Sequence, residues 1–140
     1  MIDHSGKSFP VPTPETEVYW EGCREHQLRL QYCNNCGQHQ FYPRIICSAC
    51  MSNDLKWVDV SGEGEVISFT IVRRPVSEAY KTEVPYVVAL IKLLEGPTMM
   101  SNVVGCDPEA LEIGMPVSVQ FQDWSEQISI PKFCPKIAGD

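Results

Sequence analysis

The sequence predicts a mainly β protein with an N-terminal helix, in which a rubredoxin-like zinc ribbon is followed by a five-stranded OB-fold barrel. Three observations carry this prediction. Four of the seven cysteines fall as two Cys-x-x-Cys pairs, Cys33/Cys36 and Cys47/Cys50, ten residues apart. After Ser61-Gly62 the chain turns into short stretches of alternating apolar residues. Between the third and fourth of these lies a helical or looped piece, PEALEIG, which is the element order of a small closed Greek-key barrel.

Residues 1–14, with His4, read as a tail. Residues 15–57 read as a helix plus the ribbon, and 58–137 as the barrel. Thr13-Pro14 has the form of a helix start, with threonine as N-cap and proline at the first helical position. Glu15 and Glu17 in the first turn suit the helix dipole. ETEVYWEGCREHQ then continues the helix and places Tyr19, Cys23 and His26 on one face. LRLQY, residues 28–32, alternates as a strand leading into the first cysteine pair, and LKWVDV leads out of the second.

Each Cys-x-x-Cys turn presents two sulfurs to one side of an ion, and two such turns close a tetrahedral shell with no open position. Asn34, Asn35 and Gly37 tolerate the tight, left-handed backbone the first turn needs. HQFYPR between the pairs reads as a short strand ended by Pro43. The cofactor expected is one structural zinc, although iron fits the same four sulfurs. Redox Cys-x-x-Cys motifs occur singly before a helix, and disulfides do not suit a reducing compartment. A four-thiolate site is structural, contributing folding energy to a lobe too small for a core of its own. His39 lies between the pairs as a surface or supporting residue, because four thiolates already fill the shell.

In the barrel, EVISFTIV places Ile67, Phe69 and Ile71 on one face, and YVVALIKLL does the same for Val87, Ala89, Ile91 and Leu93. TMMSNVVG forms the third strand, and MPVSVQF alternates through Val117, Val119 and Phe121. IPKFCPKI closes as a fifth strand whose two prolines require a place near an edge. Cys106 and Cys134 fall in or beside strands as packing residues.

Eleven basic and 18 acidic residues give a net charge of -7, and the acidic excess lies after residue 57. No basic face for a nucleic-acid backbone is visible. The N-terminus has no signal-peptide pattern, and no stretch approaches the ~18 apolar residues of a membrane helix. A cytoplasmic address with no membrane partner is therefore expected. Cys23 and His26, three apart, have the spacing of a thiolate–imidazole pair. No orienting group or oxyanion site accompanies them, so Cys23 reads as a small buried hydrophobe. The loop RRPVSEAYKTEVP carries Arg73, Arg74 and Lys81, cations able to hold the phosphates of CoA. Tyr19, Trp20 and Trp57 have the chemistry of interface anchors.

Tyr19-Trp20, Cys33-Asn34-Asn35-Cys36-Gly37, Phe41-Tyr42-Pro43-Arg44 and Cys47-Ser48-Ala49-Cys50 form a recognisable set, with Gly62-Glu63-Gly64-Glu65-Val66 and Ile113-Gly114-Met115-Pro116-Val117 in the barrel. Over residues 15–137 the chain resembles the thiolase-associated zinc-ribbon/OB-fold family of acyl-CoA metabolism, domain of unknown function 35. The resemblance implies a non-catalytic small subunit that binds a thiolase-fold catalytic subunit, whether thiolase, acyltransferase or aldolase, and shares its CoA ester. The alternative on the same architecture is a single-stranded nucleic-acid-binding module, against which the acidic barrel speaks.

Overall fold

The structure, a computed structural model, describes residue 4 and residues 6–136. The element expected first begins late. Thr13 and Thr16 bond each other, the Thr16 hydroxyl accepting from the Thr13 N–H at 2.8 Å, so the residues after Pro14 form a turn. The helix α1 spans Glu17–Arg24. It ends in a Schellman motif: the Gln27 N–H reaches Gly22 O at 2.8 Å and the His26 N–H reaches Cys23 O at 3.0 Å. His26 takes the left-handed position, φ 60°, that glycine usually fills. It therefore leaves the face it was expected to share with Tyr19 and Cys23, and stacks on Phe121 instead.

β1 (Arg29–Cys33), β2 (His39–Gln40) and β3 (Leu55–Asp59) form an antiparallel sheet in the order β2-β1-β3. The strand expected over HQFYPR is only two residues long, because Phe41 to Ile46 leave the sheet to cover the outer face of β1.

β4 (Glu63–Val72), β5 (Tyr86–Leu93), β6 (Thr98–Val103), β7 (Pro116–Asp123) and β8 (Ser129–Pro135) form a closed barrel in the order β4-β5-β6-β8-β7. Closure is made by β4 against β7, with Gly64 opposite Val117. Gly62, φ 76°, precedes this seam, and a Cβ there would stand 2.3 Å from Val119 Cγ1. The position requires glycine on both counts.

Two barrel expectations are corrected. A bulge between Val66 and Ser68 shifts the register of β4, so Val66 points inward with Phe69 and Ile71 while Ile67 points out, 39% exposed. One extra residue reverses the two-residue alternation at that point. β8 lies between β6 and β7, not at an edge. Its prolines are tolerated because its parallel contact with β6 is a single register pair, Val103 with Phe133, leaving few ladder bonds for a proline to break.

One core runs through the molecule. Tyr19, Cys23, Leu28 and Leu30 join Val66, Val87, Ile91, Val117 and Phe133 of the barrel, so α1 is the wedge between ribbon and barrel. Residues 6–12, expected as a tail, lie against the barrel, where Lys7 is 6% exposed. Among the described residues no helix is long and apolar enough to cross a membrane.

Candidate functional site

The two cysteine turns are built alike. Gly37 N–H donates to Cys33 O at 2.8 Å, and Met51 N–H to Cys47 O at 2.9 Å. Cys33 N–H then donates to Gln38 O, and Cys47 N–H to Ser52 O. Gly37 and Met51 both have positive φ, 77° and 66°. Glycine adopts that geometry freely, whereas methionine does so at a cost of ~1 kcal/mol.

The four sulfurs lie within 4.8 Å of one another, with Cys33–Cys50 and Cys36–Cys47 at 3.6 Å. Four sulfurs at ~2.3 Å from a central zinc stand ~3.8 Å apart, so the cluster fits a tetrahedral ion. Donors aimed at sulfur favour the thiolate form of Cys47 and Cys50, whereas Cys36, despite a backbone hydrogen bond from Gln38, is pushed up to about 12 by desolvation and its neighbouring sulfurs. Asn35 Nδ2 lies 3.4 Å from Cys50 Sγ, and this bond with the Ser52 N–H holds the Cys50 thiol down at about 6. Backbone N–H groups of Cys50 and Ala49 likewise lower Cys47. Cys33, Cys36, Cys47 and Cys50 thus have the number and spacing of donors for a structural metal, whose tetrahedral shell they would fill.

Behind the sulfurs lies a polar network the sequence did not reveal. Gln31 and Gln40 are 5% and 6% exposed. Gln40 Nε2 donates to Gln31 Oε1 at 2.7 Å, Gln31 Nε2 donates to Arg44 O at 2.7 Å, and Gln31 Oε1 also accepts from the Arg44 N–H at 2.8 Å. Gln40 Oε1 accepts from the Ser48 N–H at 2.8 Å, tying the second turn to β2. Alternation assigns Gln31 to a solvated face, and only the crossing of the Phe41–Ile46 segment buries it. His39 stands outside the metal cluster, edge-on to Tyr32.

The remaining candidates separate. Cys23 is fully buried, and burial pushes its thiol up to about 12 despite a hydrogen bond from Tyr19. His26 Nε2 is bonded to Asp123 Oδ1 at 2.7 Å, so no Cys23–His26 pair exists. Tyr19, expected as an interface anchor, is 2% exposed and belongs to the core. Trp57 is half-buried against the core. Trp20 is half-buried beside an open groove of about 380 Å³ shared with Val11, Arg24 and Ile128. Arg73, Arg74 and Lys81 are exposed on the β4–β5 loop, Arg73 paired with Glu109 and Lys81 3.8 Å from Glu78. Cys106 and Cys134 are half-buried beside β6 and on β8.

Residues 20–55 match the model of the ChsH2 rubredoxin-like zinc ribbon domain, and residues 57–122 that of the ChsH2 C-terminal OB-fold domain. A DUF35 domain-containing scaffold protein of Methanothermobacter thermautotrophicus is 38% identical over 105 residues, 74% of this chain and 78% of that protein. The chain belongs to the ChsH2/DUF35 scaffold family. Within it, a probable enoyl-CoA hydratase alpha subunit of Thermomonospora curvata is 32% identical over 128 residues, 91% of this chain. The chain spans only 40% of the length of that relative. Among solved structures, a chain of the Ltp2-ChsH2(DUF35) aldolase superposes with a TM-score of 0.82 at 32% identity, covering 91% of this chain and 99% of that one.

Proposed function

We propose that this ChsH2/DUF35 scaffold is a non-catalytic, zinc-bearing subunit of a thiolase-type acyl-CoA enzyme, holding a catalytic partner and contributing to its CoA-ester site. The observation that carries the proposal is the likeness, along nearly the whole of both chains, to a component of an aldolase complex. The chemistry of the chain agrees with it. Its thiolates are committed to metal, and its one core cysteine is protonated and bonded to Tyr19. Ile45 and Met51 flank the metal turns at 75% and 76% exposure, apolar surface suited to a partner. Trp20, beside its open groove, and Trp57 are half-buried aromatics with the chemistry of interface anchors. Arg73, Arg74 and Lys81 supply the cations for CoA phosphates.

Co-expression with a thiolase-fold protein, followed by size exclusion and kinetics, tests the assignment. The expected result is co-elution through an interface of at least ~1,000 Å², one zinc per chain by elemental analysis, and no activity in this chain alone. Replacing Arg73 and Arg74 with alanine is expected to raise the partner's KM for CoA esters more than it lowers kcat, the signature of lost ground-state binding. Separate elution with a fully active partner would refute it.

A further inference from the structure

The segment read as a tail carries the most enclosed charge described in the molecule. The Lys7 side chain is 1% exposed, and its ammonium lies 2.5 Å from Glu83 Oε2. His4 Nδ1 stands 2.8 Å away. The ammonium lies over the rings of Tyr80 and Trp124, 5.1 and 5.0 Å from their centroids. His4 stacks on Trp124, and Phe9 packs against it at 5.3 Å. Gly6 rests on Ala79, where a Cβ would come within 3.1 Å of the alanine's own. Tyr80, Glu83 and Ala79 all belong to the β4–β5 loop, and Trp124 to the β7–β8 connection.

That loop has few other anchors. Lys7–Glu83 is the one ion pair, among the described residues, joining residues 77–85 to another part of the chain. Lys7 is buried, Glu83 is 17% exposed, and aromatic faces flank the ammonium, where a charge contact is stronger than at the open surface. A second lysine, Lys132, 8% exposed and bonded to Asn102, lies within electrostatic reach of both Glu83 and Lys7.

We propose that His4 and residues 6–9 act as a strap and that Lys7 is a positioning residue, locking the β4–β5 loop so that Arg74 and Lys81 are presented in a fixed arrangement. The lock itself stands on the geometry above; its value for binding rests on the CoA-ester role proposed in the preceding section. A loop ordered before binding loses less conformational freedom when the ligand arrives.

Amide hydrogen exchange on the full, metal-loaded chain tests this, using Lys7→Met, Lys7→Arg and Glu83→Gln. Lys7→Met is expected to speed exchange over residues 77–85 by about tenfold or more, with residues 33–50 and strands β5 and β6 unchanged. Lys7→Arg is expected to restore most of the protection, because it keeps both the charge and the aromatic contact. Glu83→Gln is expected to loosen the loop at least as much as Lys7→Met does, since it leaves the enclosed Lys7 ammonium without its carboxylate. Unchanged exchange in Lys7→Met, equal loosening of the whole barrel, or identical behaviour of Lys7→Met and Lys7→Arg would each overturn the lock. The same experiment with added coenzyme A separates the two proposals. Loosening in Lys7→Met without protection of the wild-type loop by coenzyme A upholds the strap and removes the loop from the CoA site.

Discussion

Between Arg29 and Asp59 the buried side chains are Leu30, Gln31, Cys33, Gln40, Pro43 and Cys47, whereas the barrel strands bury Val66, Val87, Ala89, Ile91, Leu93, Met99, Val103, Val117, Pro131 and Phe133, with Ser129 and Lys132 as the polar exceptions. The first set is dominated by metal ligands and hydrogen-bonded amides, the second by aliphatic and aromatic carbon. Both regions are small. The barrel makes a core by closing on itself, which also removes its strand edges. The ribbon lobe has one five-residue strand pair and a two-residue strand, so a metal and a glutamine network do the work of a core. Stability in one region thus depends on area removed from water, and in the other on coordination and complete polar pairing.

The largest effect expected from this contrast is that of metal. Cys33→Ser, or chelation, is expected to unfold residues 30–55, because structural zinc supplies ~10–16 kcal/mol of folding energy in comparable lobes. Loss of amide dispersion there, with the barrel resonances retained, is the check; barrel loss in parallel would show that the two regions are one unit. Next is Phe133→Ala, at a fully buried barrel position, expected to cost ~3–5 kcal/mol by chemical denaturation without releasing metal. Gln40→Leu is the ribbon counterpart. It leaves the Ser48 N–H and one Gln31 acceptor site without a partner and is expected to cost ~2–3 kcal/mol and weaken metal retention.

A smaller effect depends on pH. Burial holds Lys132 down at about 8, so between that value and the ordinary lysine range of about 10.4 the unfolded chain binds the extra proton. Stability should therefore rise as pH climbs through that window. Wild type is expected to gain ~2 kcal/mol on Lys132→Met between pH 7.5 and 10, read from urea midpoints. The smallest is Met51→Gly. Met51 is 76% exposed with φ 66°, so glycine should stabilise the second metal turn by up to ~1 kcal/mol, making it the equal of the first. No gain would mean that Met51 contributes packing there.

Much was legible from residue order because the chemistry concerned is local. Two Cys-x-x-Cys pairs at this spacing point to a four-thiolate site from residue order alone, since each turn by itself orients two sulfurs. The alternation of Val87, Ala89, Ile91 and Leu93 specifies the inner face of a strand in the same way, and all four are buried. What tertiary structure alone decided are features that need two distant segments. The bulge that turns Ile67 outward appears only in register against β5. Gln31 is buried because residues 41–46 cross it, and Tyr19 because α1 is pressed between ribbon and barrel. Lys7 follows the same rule most strongly. In the sequence it is a basic residue between Gly6 and Ser8, with no apolar periodicity to mark a core. It is enclosed because Glu83, Tyr80 and Trp124, far along the chain, converge on it, and a buried charge is stable only where such partners meet.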